Sequence, residues 1–281
     1  MPTIRTQSVG YGALTNAHPS VQYPRFERNP REGTPVERNP RDGAPVERNL
    51  RDCTPFLVSN RLTTLILVRH ATNDWVGERL AGWTPGVHLN EAGQQQAFAL
   101  AERLAPMPIK AIYSSPLERA WETAAPLAER LNLPVEIEPD LGEVQYGQWT
   151  GKPLKEMRET DLWPLLMMAP SLARFPEGES LCQAQARIVG ALERLRRKHP
   201  DDMIMAVSHA DMLKAVVAHY IGLHLDLFQR LVISPAAVSV LRFSPPGIAR
   251  LERFNDTGTL SDLVVEPKIE PKTEEETKTS E

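Results

Sequence analysis

The run Thr64-Leu65-Ile66-Leu67-Val68-Arg69-His70-Ala71-Thr72 decides the fold. An apolar stretch without polar alternation has the composition of a strand buried on both faces, as at the centre of a parallel sheet. It stops at an arginine and a histidine. In open α/β sheets the carboxyl ends of the strands border the ligand crevice, so Arg69 and His70 fall where a ligand binds. The alternative is a strand that simply ends in polar residues near the surface. Met203-Ile204-Met205-Ala206-Val207-Ser208 repeats the pattern and runs into His209, Ala210 and Asp211. Two buried runs that each carry an imidazole to the carboxyl end predict neighbouring strands that share one site.

Working outward, Asn90 is placed to cap a helix over 91–104, in which Ala97, Leu100, Ala101 and Leu104 keep helical spacing. A strand over 109–113 follows, and then Ser114-Ser115-Pro116-Leu117-Glu118-Arg119-Ala120. Ser115 and Glu118 have capping-box spacing with Pro116 at the first helical position, which puts Arg119 in the first turn. Free backbone N–H groups there favour an anion, and a guanidinium adds a bidentate clamp; read alone, Arg119 is equally a surface arginine. Residues 135–137 read as an edge strand. They lead into Leu141-Gly142-Glu143-Val144-Gln145-Tyr146-Gly147-Gln148-Trp149-Thr150-Gly151, a loop that holds one isolated carboxylate among apolar walls. Such a carboxyl titrates high, as a general acid near neutral pH must; a solvated loop acid is the alternative.

The punctuated loop over 74–86, with Trp75 and Trp83, is expected to line a pocket. Residues 152–176 read as irregular, with Trp163 and residues 165–168 forming an apolar patch that either caps the pocket or joins the core. Helices are expected over 179–198 and 212–221, with a helical stretch near 225–231. A hairpin of 237–243 with 248–254 around Pro245-Pro246-Gly247 completes the domain.

The 281 residues include 25 prolines, more than one compact domain usually carries, and these cluster towards the ends. Residues 1–60 contain a decapeptide repeat (FERNPREGTP, VERNPRDGAP, VERNLRDCTP) with one or two large apolar side chains per copy, too little for a core, and read as a disordered arm. Residues 261–281 read as an acidic disordered tail, leaving 61–260 as the folded domain. A net charge of −4 gives no general attraction to nucleic acid or to an anionic membrane. No apolar run has the length of a membrane span, and the N-terminus lacks a signal-peptide layout. Cys53 and Cys182 suggest neither a disulfide framework nor a metal cluster, which fits a reducing cytoplasm.

Five motifs in this order resemble the histidine phosphatase superfamily, the phosphoglycerate mutase-like proteins. They are Leu67-Val68-Arg69-His70-Ala71, the stretch from Ser114 to Thr123, the loop around Glu143, Pro176-x-Gly178-Glu179-Ser180, and Val207-Ser208-His209. The loop from Leu80 to Asn90 further resembles bacterial probable phosphomutases. The resemblance implies a three-layer α/β sandwich with a mostly parallel sheet. It implies His70 as the nucleophile that becomes phosphohistidine, with Arg69, Arg119 and His209 gripping the phosphoryl group and Glu143 as proton donor. Asn73 is a further candidate phosphate ligand.

No metal or other cofactor is expected, since two arginines and a second histidine already serve the transferring charge. The chain departs from the family pattern at Ala71, where glycine is usual, and at Val76, where an asparagine is usual. Val144 and Gln145 stand where mutases carry arginine and histidine. Hydrolysis of a small phosphomonoester is therefore expected, with phosphotransfer as the alternative and a non-catalytic phosphate-binding module as a third reading. The oligomeric state is not legible.

Overall fold

The computed structural model describes residues 62–244 and 247–258, together with the backbone of Glu27–Arg28 and Pro35–Val36, which form a two-residue antiparallel ladder. The expectations for the rest of the N-terminal arm, for the acidic tail and for the Pro245-Pro246 turn lie outside the described residues. In chain order the domain runs β1 (Thr63–Arg69), α1 (Glu91–Leu104), β2 (Ile109–Ser114), α2 (Glu118–Leu131), β3 (Val135–Ile137), α3 (Leu154–Met157), α4 (Leu162–Met168), α5 (Leu181–Lys198), β4 (Met203–Ser208), α6 (Ala210–Ile221), β5 (Val238–Ser244) and β6 (Ile248–Asp256).

These strands make one six-stranded sheet in the order β3-β2-β4-β1-β5-β6. The first four are parallel, and β5 and β6 are antiparallel. Along β1 the side chains alternate between two cores. Ile66 and Val68 join Leu100 and Leu104 of α1 and Ala124 and Leu127 of α2, whereas Leu65 and Leu67 join Ile188 and Leu192 of α5 and Leu213 and Val216 of α6. That double burial explains why the run lacks polar alternation, and each such large aliphatic side chain contributes about 2 kcal/mol. The result is the expected three-layer α/β sandwich with a mostly parallel sheet. Among the described residues no helix is long and apolar enough to cross a membrane.

The register places the site. Arg69 stands opposite Ser208 in the β1–β4 pair, so His70 and His209 leave the sheet side by side at its carboxyl edge. Asn90 caps α1 as expected, its side chain accepting the Gly93 N–H.

Three local readings need correction. The Ser115–Glu118 capping box does not form: α2 begins at Glu118 after Leu117, the Ser115 hydroxyl is turned to His209, and the Glu118 carboxylate accepts the Gly86 N–H. A capping box does form at α5, where Ser180 and Gln183 start the helix two residues later than the spacing predicts. Residues 152–176 are not irregular, since they carry α3, α4 and a 3₁₀ turn at Pro170–Leu172. Pro164 lies in the first turn of α4, where its missing N–H has no intrahelical partner to lose.

Candidate active site

Arg69, His70, Asn73, Arg119, Glu143 and Asp211 line a cavity of about 130 Å³ at the carboxyl edge of the sheet. His209 is fully buried next to His70, with the two ring centroids 5.2 Å apart. The residues expected at the site are therefore brought together, with the two imidazoles side by side.

The strand ends fix the ring chemistry. His70 Nδ1–H donates to the Ala71 carbonyl oxygen at 2.7 Å, which leaves the Nε2 lone pair free. The Ala71 N–H is itself held by Thr123 Oγ1 at 2.9 Å. Burial, and then the Arg119 and Arg69 charges, hold the His70 pKa well below 6.5, which favours the neutral ring. His209 is likewise pushed well below 6.5, by burial first and then by Arg119. Its Nδ1 accepts from Arg119 at 3.3 Å, so its Nε2–H donates to Ser115 Oγ at 2.8 Å. This is the contact that displaces the expected helix cap.

The two arginines are only partly satisfied by protein. Arg69 donates one nitrogen to the Ile233 carbonyl, and Arg119 donates one to the Gly82 carbonyl and to His209. Arg69 Nε and both Nε and Nη1 of Arg119 are buried without a hydrogen-bond partner. Leaving a buried donor unmade costs about 1–3 kcal/mol, more if it is charged, so these nitrogens call for an anion. Asn73 is buried beside them, with its Oδ1 held by the Trp75 N–H at 2.9 Å. Its side-chain amide nitrogen is then the donor it can offer to the cavity.

Glu143 is 9% exposed. Burial first, and then the Asp211 charge, raise its pKa from 4.5 to about 7. Its Oε2 stands 3.9 Å from His209 Nδ1, which is not an ion pair while that ring is neutral. The loop is held through its backbone: Arg187 donates to the carbonyls of Asp140, Gly142 and Glu143 at 2.8–3.0 Å and pairs with Glu179, whose carboxylate also accepts the Gln145 N–H. Trp83 donates its indole N–H to the Glu143 carbonyl at 2.7 Å and lies against Gly142 so closely that a Cβ there would be 2.3 Å from the ring. Of the two tryptophans expected to line the pocket, Trp75 does so, whereas Trp83 braces the acid loop.

Arg187 was missed by the sequence reading. Its signal is an arginine three residues past Ala184 and one before Ile188, at the margin of the buried stripe of α5. The Ser115 to His209 contact had no local signal, because it joins two strand ends.

A parallel-sheet edge that presents two neutral imidazoles and two incompletely paired guanidinium groups to one small cavity defines a phosphoryl-transfer site. The chain belongs to the histidine phosphatase superfamily: residues 65–257 match its branch 1. It is 34% identical over 209 residues to phosphoserine phosphatase 1 of Hydrogenobacter thermophilus, covering 73% of this chain and 98% of that one. It is 35% identical over 166 residues to a metal-independent phosphoserine phosphatase of Arabidopsis thaliana, covering 57% and 69%. Among solved structures it is similar to Bacillus stearothermophilus YhfR, with a TM-score of 0.65 at 29% identity, over 69% of this chain and 97% of that one. The protein is an enzyme of this superfamily, a phosphomonoester hydrolase.

Proposed function

We propose that His70 is the nucleophile of a two-step hydrolysis in which a phosphohistidine forms and water is the final acceptor. The observation that carries this reading is the free Nε2 lone pair of His70 beside the unpartnered buried nitrogens of Arg69 and Arg119. In the first step Nε2 attacks phosphorus and the P–O ester bond breaks. The leaving oxygen takes the Glu143 proton, so the alcohol departs neutral. In the second step the Glu143 carboxylate takes a proton from water and the hydroxide attacks phosphorus. The P–N bond breaks, and neutral His70 and inorganic phosphate result.

Arg69, Arg119 and Asn73 hold the phosphoryl oxygens throughout, while His209 Nδ1 fixes the Arg119 guanidinium beside them, the two guanidinium groups answering the charge that a metal answers in other phosphoryl-transfer enzymes. The histidine cycle therefore calls for no metal. Hydrolysis is favoured over mutase chemistry because Val144 is fully buried in the core and Gln145 is tied through its backbone to Glu179, so neither offers a cation to a phosphoglycerate carboxylate. A reducing, cytoplasmic setting belongs to the proposal and rests on the sequence, whose two cysteines lie far apart and suggest no disulfide framework.

The test incubates the purified protein with a panel of phosphomonoesters that includes phosphoserine, and separately with 3-phosphoglycerate plus bisphosphoglycerate. Phosphate release that disappears in His70→Ala is the expected result. Rapid interconversion of phosphoglycerates without phosphate release would establish the mutase alternative.

A further inference from the structure

A second cavity, of about 270 Å³, lies beside the phosphate cradle and shares Leu80, Tyr146 and Asp211 with it. Beyond those three, its wall is built largely from Trp149, Phe175, Leu154, Trp163, Leu166 and Met167. Asp211 is its one charged lining residue among the described residues, and it is already engaged. It accepts from the Tyr146 hydroxyl at 3.4 Å and from Lys214 at 3.2 Å, and Lys214 in turn bonds to Gln229 at 3.2 Å.

We propose that this cavity receives the leaving group, so that the preferred substrates are phosphomonoesters of apolar alcohols, aryl or medium-chain alkyl. The inference rests on the phosphohistidine reading above. A cradle of about 130 Å³ has room for a phosphoryl group and little else. Glu143 and Asp211 line it together, so the ester oxygen that Glu143 protonates lies on the side of Asp211, Tyr146 and Leu80, the three residues common to both cavities. The body of the alcohol then meets aromatic and aliphatic side chains, whose contact favours apolar surface. A phosphorylated amino or hydroxy acid would bring a carboxylate into the same space. There the lining supplies no cation and one anion, and the cationic side chains of the cradle are Arg69 and Arg119, which face the phosphate, and Arg79 at its rim. Part of the apolar patch read from residues 163–168 thus becomes the specificity wall: Trp163, Leu166 and Met167 line the cavity, whereas Met168 is exposed.

The experiment compares kcat/KM for 1-naphthyl phosphate and hexyl phosphate with that for phosphoserine, in the wild type and in Met167→Glu and Met167→Leu. Met167 is 38% exposed, so the glutamate is accommodated at the surface without loss of the fold. A single methylene in an apolar pocket changes kcat/KM by about 10–200-fold, so the wild type should prefer naphthyl phosphate over phosphoserine by about a hundredfold or more. Met167→Glu should lower kcat/KM for the naphthyl and hexyl esters by about tenfold or more through KM, and Met167→Leu should restore it. Inhibition by inorganic phosphate should be the same in all three proteins, because Met167 lines the second cavity and not the cradle. Preference for phosphoserine, or naphthyl and hexyl esters turned over equally well by wild type and Met167→Glu, would overturn the assignment and leave the phosphohistidine reading intact. Absence of His70-dependent phosphate release from every ester would overturn that reading itself.

Discussion

Replacing Glu143 with glutamine should stabilise the protein, and by an amount that depends on pH. The carboxyl has a pKa of about 7 in the folded protein against 4.5 for an ordinary glutamate, because it is buried and faces Asp211. Between those two values the unfolded chain carries the charge while the folded protein keeps the proton. Folding therefore takes up a proton, and stability falls as pH rises through this window until the folded group ionises near pH 7. At about 1.4 kcal/mol for each tenfold change in proton affinity, the full loss is about 3 kcal/mol. Glutamine keeps the shape and cannot ionise. His70 and His209 are common to both proteins, so their own pH dependence cancels in the comparison. Urea unfolding of wild type and Glu143→Gln at pH 5 and pH 8 measures the difference directly: the advantage of the glutamine protein should grow by about 2–3 kcal/mol between the two. An advantage that stays constant, or a glutamine protein that is the less stable at pH 8, would show that Glu143 is not held protonated by its surroundings.

In kinetics the same group should set the alkaline limb, with kcat/KM falling above about pH 7 as Glu143 loses its proton, while the acid limb, set by His70, lies well below pH 6.5. Glu143→Gln should flatten the alkaline limb on an activated aryl ester; a limb that persists would move the acid to Asp211. Gly142→Ala drives a methyl group into the Trp83 ring and must displace the indole that holds the Glu143 carbonyl, so kcat should fall by about tenfold or more with an unchanged far-ultraviolet circular dichroism spectrum. Arg187→Met strips the hydrogen bonds from three loop carbonyls and leaves the largely buried Glu179 without its partner. It should cost about 3–5 kcal/mol in urea unfolding.

The two runs that end at Arg69-His70 and Ser208-His209 revealed both the sheet and the site, because burial on both faces leaves a compositional trace and the polar residues at its end interrupt it. The helix over 91–104 was legible for the same reason, from spacing and an asparagine cap. What escaped was decided by contacts between segments distant in sequence. Ser115 has the spacing of a helix cap, yet its hydroxyl serves His209 from the neighbouring strand end. Trp83 looks like a pocket wall among glycines, and only the fold shows its indole N–H on the Glu143 carbonyl. Arg187 reaches back 44 residues to that same carbonyl, a relation that no local pattern encodes. The short helices between 154 and 168 were hidden by Pro153 and Pro164, which punctuate the stretch without preventing helical turns.

The central claim, that His70 carries the phosphoryl group between substrate and water, is tested most directly by quenching the enzyme during turnover of a radiolabelled phosphomonoester and mapping the labelled peptide under alkaline conditions. The account predicts one acid-labile, alkali-stable phosphoryl group on His70, absent from His70→Ala. Label on another residue, or turnover that leaves the protein unlabelled at every quench time, would contradict it.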